Sequence, residues 1–215
     1  MKTAEFARFR PQGFTRLGAL GRKSVTGLGA AALVCLLTAC GGGAEWNNRD
    51  ISGLMPPLEF ELYSETGAQV TADDFDGQAQ LMFFGFTHCP DICPITLGVL
   101  AKALDQLGPE AEAVDVLFVG VDPERDQPEV LAEYTDAFGP RFVGLSGTQE
   151  QLKALAKRYR VSFSYEDRDA TGAYGVNHSS AVYAFDETGK VRLLIDADTG
   201  PEAIAADLRR LIREG

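Results

Sequence analysis

Residues 79–86 read AQLMFFGF, a run with one polar side chain and no charge, and three residues later the chain reaches Cys89-Pro90-Asp91-Ile92-Cys93-Pro94. The run is too short for a helix and rich in aromatics, which suits a central strand buried on both faces. From Ile95 onward, Val99, Leu100, Ala103, Leu104 and Leu107 recur at helical spacing. Both cysteines therefore stand where a buried strand gives way to a helix. A strand of this kind needs helices packed over its sheet, so the pattern points to an α/β domain.

The rest of the chain extends the alternation. Residues 113–121 (AVDVLFVGV) form a second buried strand, followed by the turn Asp122-Pro123-Glu124-Arg125-Asp126 and a helix over 128–138. A strand is predicted at 142–145, a helix at 148–159, a short strand at 161–165 and a polar surface loop at 166–174. Residues 180–185 and 190–195, joined by Asp186-Glu187-Thr188-Gly189, read as an antiparallel hairpin, and 201–213 as a closing helix. Upstream, the alternating segment 58–62 and residues 69–71 flank a turn and read as an exposed hairpin. The result is an α/β sheet of mixed direction, whose order resembles a thioredoxin fold with extra N-terminal strands and an inserted helix.

Charge is unevenly distributed. Residues 1–23 carry six bases against one acid, Glu5, and residues 24–39 carry no charge. This is the pattern of a secretory leader, with an apolar stretch shorter than the roughly 20 residues of a spanning helix. It ends in Leu37-Thr38-Ala39-Cys40, which resembles a bacterial lipobox, with Cys40 as the lipidated mature N-terminus. Residues 1–39 are thus expected to be a lipoprotein signal peptide, 40–53 a lipidated flexible tether, and 54–215 the folded domain. Removing the leader leaves 14 basic and 30 acidic residues. That balance argues against nucleic-acid binding, which draws on clustered Lys and Arg. The expected location is outside the cytoplasm, on a bacterial membrane through the lipid anchor.

With Cys35 in the leader and Cys40 lipidated, the domain keeps one pair, Cys89 and Cys93. A loop this small is a poor structural staple, because disulfide stabilisation grows with loop length. On the first turn of a helix, residues four apart lie about 6 Å apart on one face, within the Cα separation a disulfide allows. Unsatisfied N–H groups there favour a thiolate at Cys89. Two thiolates also make a soft metal site in need of a third donor, and the mature chain offers only His88 and His178. Side chains adjacent in sequence point apart, so His88 is read as an electrostatic neighbour of Cys89. Two thiolates with the imidazole of His178 suit copper; zinc would need a further donor such as Asp91, Asp122 or water. Asp122 or Arg125 is expected to hold the cysteine loop, and Phe83, Phe84 and Phe86 to lie in the core.

Three segments, Phe84-Gly85-Phe86-Thr87-His88-Cys89-Pro90-Asp91-Ile92-Cys93-Pro94, Val121-Asp122-Pro123-Glu124-Arg125-Asp126 and Val176-Asn177-His178-Ser179, together resemble the Sco/SenC family over residues 54–213. The resemblance implies a membrane-tethered thioredoxin-like protein that binds copper through Cys89, Cys93 and His178. It also implies a role in assembling the binuclear copper site of cytochrome c oxidase, with the copper-site subunit as partner and another copper carrier as a candidate donor. Family sequences often carry an acidic residue before the histidine, where this chain has Asn177. Two functions follow: a metallochaperone, or a thiol-disulfide oxidoreductase in which Cys89 and Cys93 reduce the cysteines of the oxidase copper site. The first needs His178, and the second needs only the two cysteines.

Overall fold

The computed structural model describes residues 45–214. The leader and Cys40 lie outside the described residues. At the centre are two parallel strands, β4 (Ala79–Gly85) and β5 (Val114–Gly120), in register from Ala79 opposite Val114 to Gly85 opposite Gly120. Every residue of both is buried, as expected of strands in which Gln80 and Asp115 are the only polar side chains. On one side β4 pairs antiparallel with β9 (Val182–Phe185), which turns into β10 (Val191–Ile195). On the other, β5 pairs parallel with β6 (Phe142–Ser146).

The N-terminal hairpin, β2 (Glu61–Ser64) and β3 (Gln69–Thr71), is less exposed than its alternation suggested. β2 pairs with β6 as well as β3, so Leu62 and Ser64 are buried and only β3 is left at the edge. The opposite edge is β1 (Arg49–Asp50), paired antiparallel with β10. The eight strands run β1-β10-β9-β4-β5-β6-β2-β3. A separate two-stranded sheet pairs β7 (Phe163–Tyr165) with β8 (Val176–His178).

Among the described residues four α-helices complete the fold: α1 (Ile92–Leu107), α2 (Pro128–Asp136), α3 (Gln149–Arg158) and α4 (Pro201–Glu214). In α1, Cys93, Leu97, Leu100, Leu104 and Leu107 form the buried stripe, and the helix packs against α4. Thr148 caps α3, accepting a hydrogen bond from the Gln151 amide while the Gln151 side chain reaches back to the Thr148 amide. The thioredoxin-like core is β4, α1, β5, α3, β9, β10 and α4; β1 to β3 precede it, and α2 with β6 is inserted after β5.

The expected tether, residues 40–53, is in its second half part of this domain. Asp207 of α4, 3 % exposed, accepts four hydrogen bonds from the amides and side chains of Asn47 and Asn48, at 2.8 to 3.0 Å. Ile51 is buried behind β1. The polar, glycine-flanked sequence gives no sign of this, because the anchoring carboxylate lies some 160 residues away.

Candidate metal centre

β4 ends in Gly85, and the chain then turns through Phe86-Thr87-His88 to Cys89, whose amide donates to the Phe86 carbonyl at 3.1 Å. A Cβ at Gly85 would stand 2.8 Å from Cys93 Sγ and 2.6 Å from the Phe118 ring, so only glycine lets this strand run beneath the first turn of α1. The two cysteines do not share that turn. α1 begins at Ile92, which leaves Cys89 in the preceding turn and Cys93 inside the helix. The Cys93 amide donates to Cys89 Sγ at 3.4 Å, while the N-cap residue Asp91 makes no side-chain capping bond. Sulfur therefore takes one of the free N–H groups that open the helix.

His178 comes from the other sheet, at the end of β8. Its Nε2 lies 3.3 Å from Cys93 Sγ, and its Nδ1 lies 3.0 Å from the Ser179 carbonyl. A carbonyl can only accept, so this contact places the proton on Nδ1 and turns the Nε2 lone pair toward the cysteines. The rings of Phe83 and Phe86 meet the imidazole edge-on, with centroids 5.9 and 5.8 Å away. The two sulfurs and one imidazole nitrogen lie within 4.8 Å of one another, the one cluster of three such donors among the described residues. Two sulfurs and a nitrogen, with no carboxylate among them, fit a soft transition metal better than a hard one.

Both cysteines are free thiols. Cys93 is fully buried, and that burial pushes its thiol well above the usual range; the Cys89 sulfur and the Asp126 carboxylate add to the effect, against a backbone hydrogen bond from Phe86. Cys93 therefore holds its proton more firmly than an exposed thiol does.

His88 is exposed and turned away, with Nδ1 3.1 Å from the Thr87 hydroxyl, as its sequence position implied. Asp91 is also exposed, and neither it nor Asp122 joins the donor cluster. Asp122 is 1 % exposed and engaged elsewhere: it accepts from Arg125 Nε at 2.5 Å and from the Tyr174 hydroxyl at 2.9 and 3.0 Å. The residue that holds the cysteine loop is instead Asp126. One of its oxygens accepts from the Thr87 amide and hydroxyl at 2.9 and 2.8 Å, the other from the Asp122 amide at 3.0 Å. Burial pushes the Asp126 carboxyl upward, against the hydrogen bonds from Thr87. The sequence offered the right turn, but nothing in it says which of two acids four residues apart faces the loop. Asn177 is exposed, and its amide donates to Glu166 at 3.2 Å, so a carboxylate adjoins this position from β7's side of the hairpin. Phe83, Phe84 and Phe86 are buried as expected.

A family model described as SCO1/SenC matches residues 56–213. The mouse mitochondrial SCO2 homologue is 38 % identical over 156 residues, covering 72 % of this chain and 61 % of that protein. SenC of Rhodobacter capsulatus is 39 % identical over 146 residues, covering 68 % of this chain and 66 % of SenC. The chain thus spans a little under two thirds of both relatives. Among solved structures, ScoI of Bradyrhizobium japonicum with copper bound superimposes with a TM-score of 0.67 at 34 % identity, covering 73 % of this chain and 99 % of that one.

Proposed function

The chain belongs to the SCO1/SenC family, and from that premise we propose that it is a copper metallochaperone whose Cys89 and Cys93 thiolates and His178 Nε2 hold copper. The observation that carries this reading is the 3.3 Å approach of His178 Nε2 to Cys93 Sγ across 85 residues of sequence. A thiol-disulfide oxidoreductase needs only the cysteine pair and has no use for an imidazole oriented by its own neighbour's carbonyl. Two sulfurs and one nitrogen give a trigonal site for Cu(I), open enough to pass the ion on by ligand exchange. The cargo is destined for cytochrome c oxidase, since the Sco family is one of cytochrome c oxidase assembly proteins, and its copper-site subunit is the recipient.

The domain works outside the cytoplasm. Residues 1–39 are its leader, and Cys40 carries the lipid that holds it at a membrane, as the Leu37-Thr38-Ala39-Cys40 pattern implies. Among the described residues no helix is long and apolar enough to cross a membrane.

The test is a titration of the full chain, reduced and anaerobic, with Cu(I) against a competing chelator, beside its His178→Ala variant. One-to-one binding that weakens at least about 10-fold in the variant is expected, since removing even a group that supports a ligand costs about 10–100-fold. Equal binding by the two proteins defeats the three-ligand site and leaves the dithiol chemistry as the function.

A further inference from the structure

Tyr174 stands four residues before His178, in the polar loop between β7 and β8. It has no soft donor, yet side chains of the Asp122–Arg125 turn grip it at several points. Its hydroxyl donates to both oxygens of Asp122, and its carbonyl accepts from Arg125 Nη1 at 3.2 Å. The Arg125 guanidinium also lies over its ring, 3.8 Å from the centroid. Arg168 lies over the same ring at 4.4 Å and is itself tied to Glu124 of the turn at 2.6 Å. Each guanidinium is attracted to the ring's π electrons. Arg125 continues toward the imidazole: it sits 5.6 Å from the centroid of the Phe86 ring, which meets His178 edge-on.

The cysteines are positioned by the main sheet and α1, whereas His178 belongs to a hairpin that is not hydrogen-bonded into that sheet. Something must fix the one against the other. At the loop end of the hairpin, where Tyr165 pairs with Val176, the Tyr165 hydroxyl donates to the Val121 carbonyl at 2.6 Å, at the exit of β5. At the same end Tyr174, two residues before Val176 and with its ring 6.2 Å from that of Tyr165, is held by the Asp122–Arg125 turn. The turn that holds it also carries Asp126, whose bonds to Thr87 hold the cysteine loop. One turn thus grips both halves of the centre.

We propose that Tyr174 is a positioning residue for His178: its clasp by Asp122, Arg125 and Arg168 sets the distance of Nε2 from the two sulfurs, and so makes the third ligand available to the metal. The inference rests on the copper reading above and goes further, because it assigns a role to a side chain that never touches the ion.

The experiment is a double-mutant cycle on the full chain, reduced and anaerobic, with Cu(I) itself as probe and a competing chelator as reference. Tyr174→Ala is expected to weaken binding by about 10–100-fold, the usual loss when a group supporting a ligand is removed. The Tyr174→Ala/His178→Ala double variant should then bind as His178→Ala does, because Tyr174 acts only through the imidazole. Tyr174→Phe, which keeps the ring beneath the guanidiniums and loses only the hydroxyl, should recover part of the loss and serves in the same cycle if Tyr174→Ala does not fold. In the copper-free protein the His178 ring-proton resonances, shifted by Phe83 and Phe86, should move toward their free-imidazole positions in Tyr174→Ala. Losses that multiply in the double variant, or a Tyr174→Ala protein that binds Cu(I) like the parent, overturn this role while leaving the copper site standing. If His178→Ala binds like the parent, the copper reading falls and this inference with it.

Discussion

Raising the pH should tighten Cu(I) binding by at least about one order of magnitude per pH unit, because Cys93 must give up a proton that its surroundings help it to keep. The thiol has no exposure to solvent, and burial is the largest influence pushing its pKa up; the Cys89 sulfur and the Asp126 carboxylate push the same way. Through the neutral range the copper-free protein therefore carries a proton on Cys93, and Cu(I) takes the sulfur as thiolate, so each ion bound displaces at least that proton. One proton per ion makes the apparent association constant rise tenfold per pH unit, or about 100-fold and about 2.7 kcal/mol between pH 6.5 and 8.5. The assay is chelator competition at several pH values, corrected for the chelator's own protonation, with proton release followed in weak buffer by an indicator dye. A slope well below one, or less than one proton released per ion, refutes the reasoning. The same proton has a second effect, of opposite sign. An unfolded cysteine titrates near pH 8.5 and the folded Cys93 does so higher, so above about pH 8.5 the native state binds more protons than the unfolded chain. Stability of the reduced copper-free domain should then fall by about 1.4 kcal/mol per pH unit, and Cys93→Ala should remove that slope.

Two substitutions test the scaffold. Gly85→Ala places a methyl 2.6 Å from the Phe118 ring and 2.8 Å from Cys93 Sγ, and overpacking of this kind costs about 1–3 kcal/mol; a thermal melt and the Cu(I) affinity should both drop, and an unchanged affinity would show that Cys93 does not depend on the strand beneath it. Asp207→Ala strands four N–H groups of Asn47 and Asn48, and with a bond to a charged group worth about 1.5–3 kcal/mol the loss should reach about 3 kcal/mol, or about 6–12 °C in Tm. Trp46, packed against Arg192 and Arg210, reports it: its fluorescence should shift with the freed arm while Cu(I) binding stays intact.

Much of the sheet and the helices α1 and α3 were legible from hydrophobic pattern, because β4 and β5 are buried on both faces and α1 and α3 on one; α2 and α4 were read from the turn and the proline that precede or open them. The start of α1 was not, since the hydrogen bond from the Cys93 amide to Cys89 sulfur decides where regular helix begins, and spacing carries no trace of it. The cysteine pair could be read from its position at a strand end, but His178 stands 85 residues from Cys93, and the count of histidines and the three motifs, not any local pattern, pointed to it. Residues 166–174 read as a surface loop, which is true of most of them. Tyr174 is different because Asp122, 52 residues earlier in the chain, accepts a hydrogen bond from its hydroxyl, a pairing that no local pattern encodes. The arm at Asn47 and Asn48 was lost for the same reason.

Gly85 and Gly120 lie opposite each other in register where β4 and β5 end. A Cβ on the first would meet Cys93 Sγ at 2.8 Å, and on the second Asp126 Oδ2, also at 2.8 Å. The proposed metal centre and the carboxylate that supports its loop occupy the space those two absent side chains leave. In descent, the function is therefore inherited partly as hydrogen atoms. A descendant that kept both cysteines and the histidine but gained a methyl at either glycine would have every donor atom and a displaced site. Judging relatives by their ligands alone would count such a protein as a copper carrier, whereas reading the two glycines with them would not.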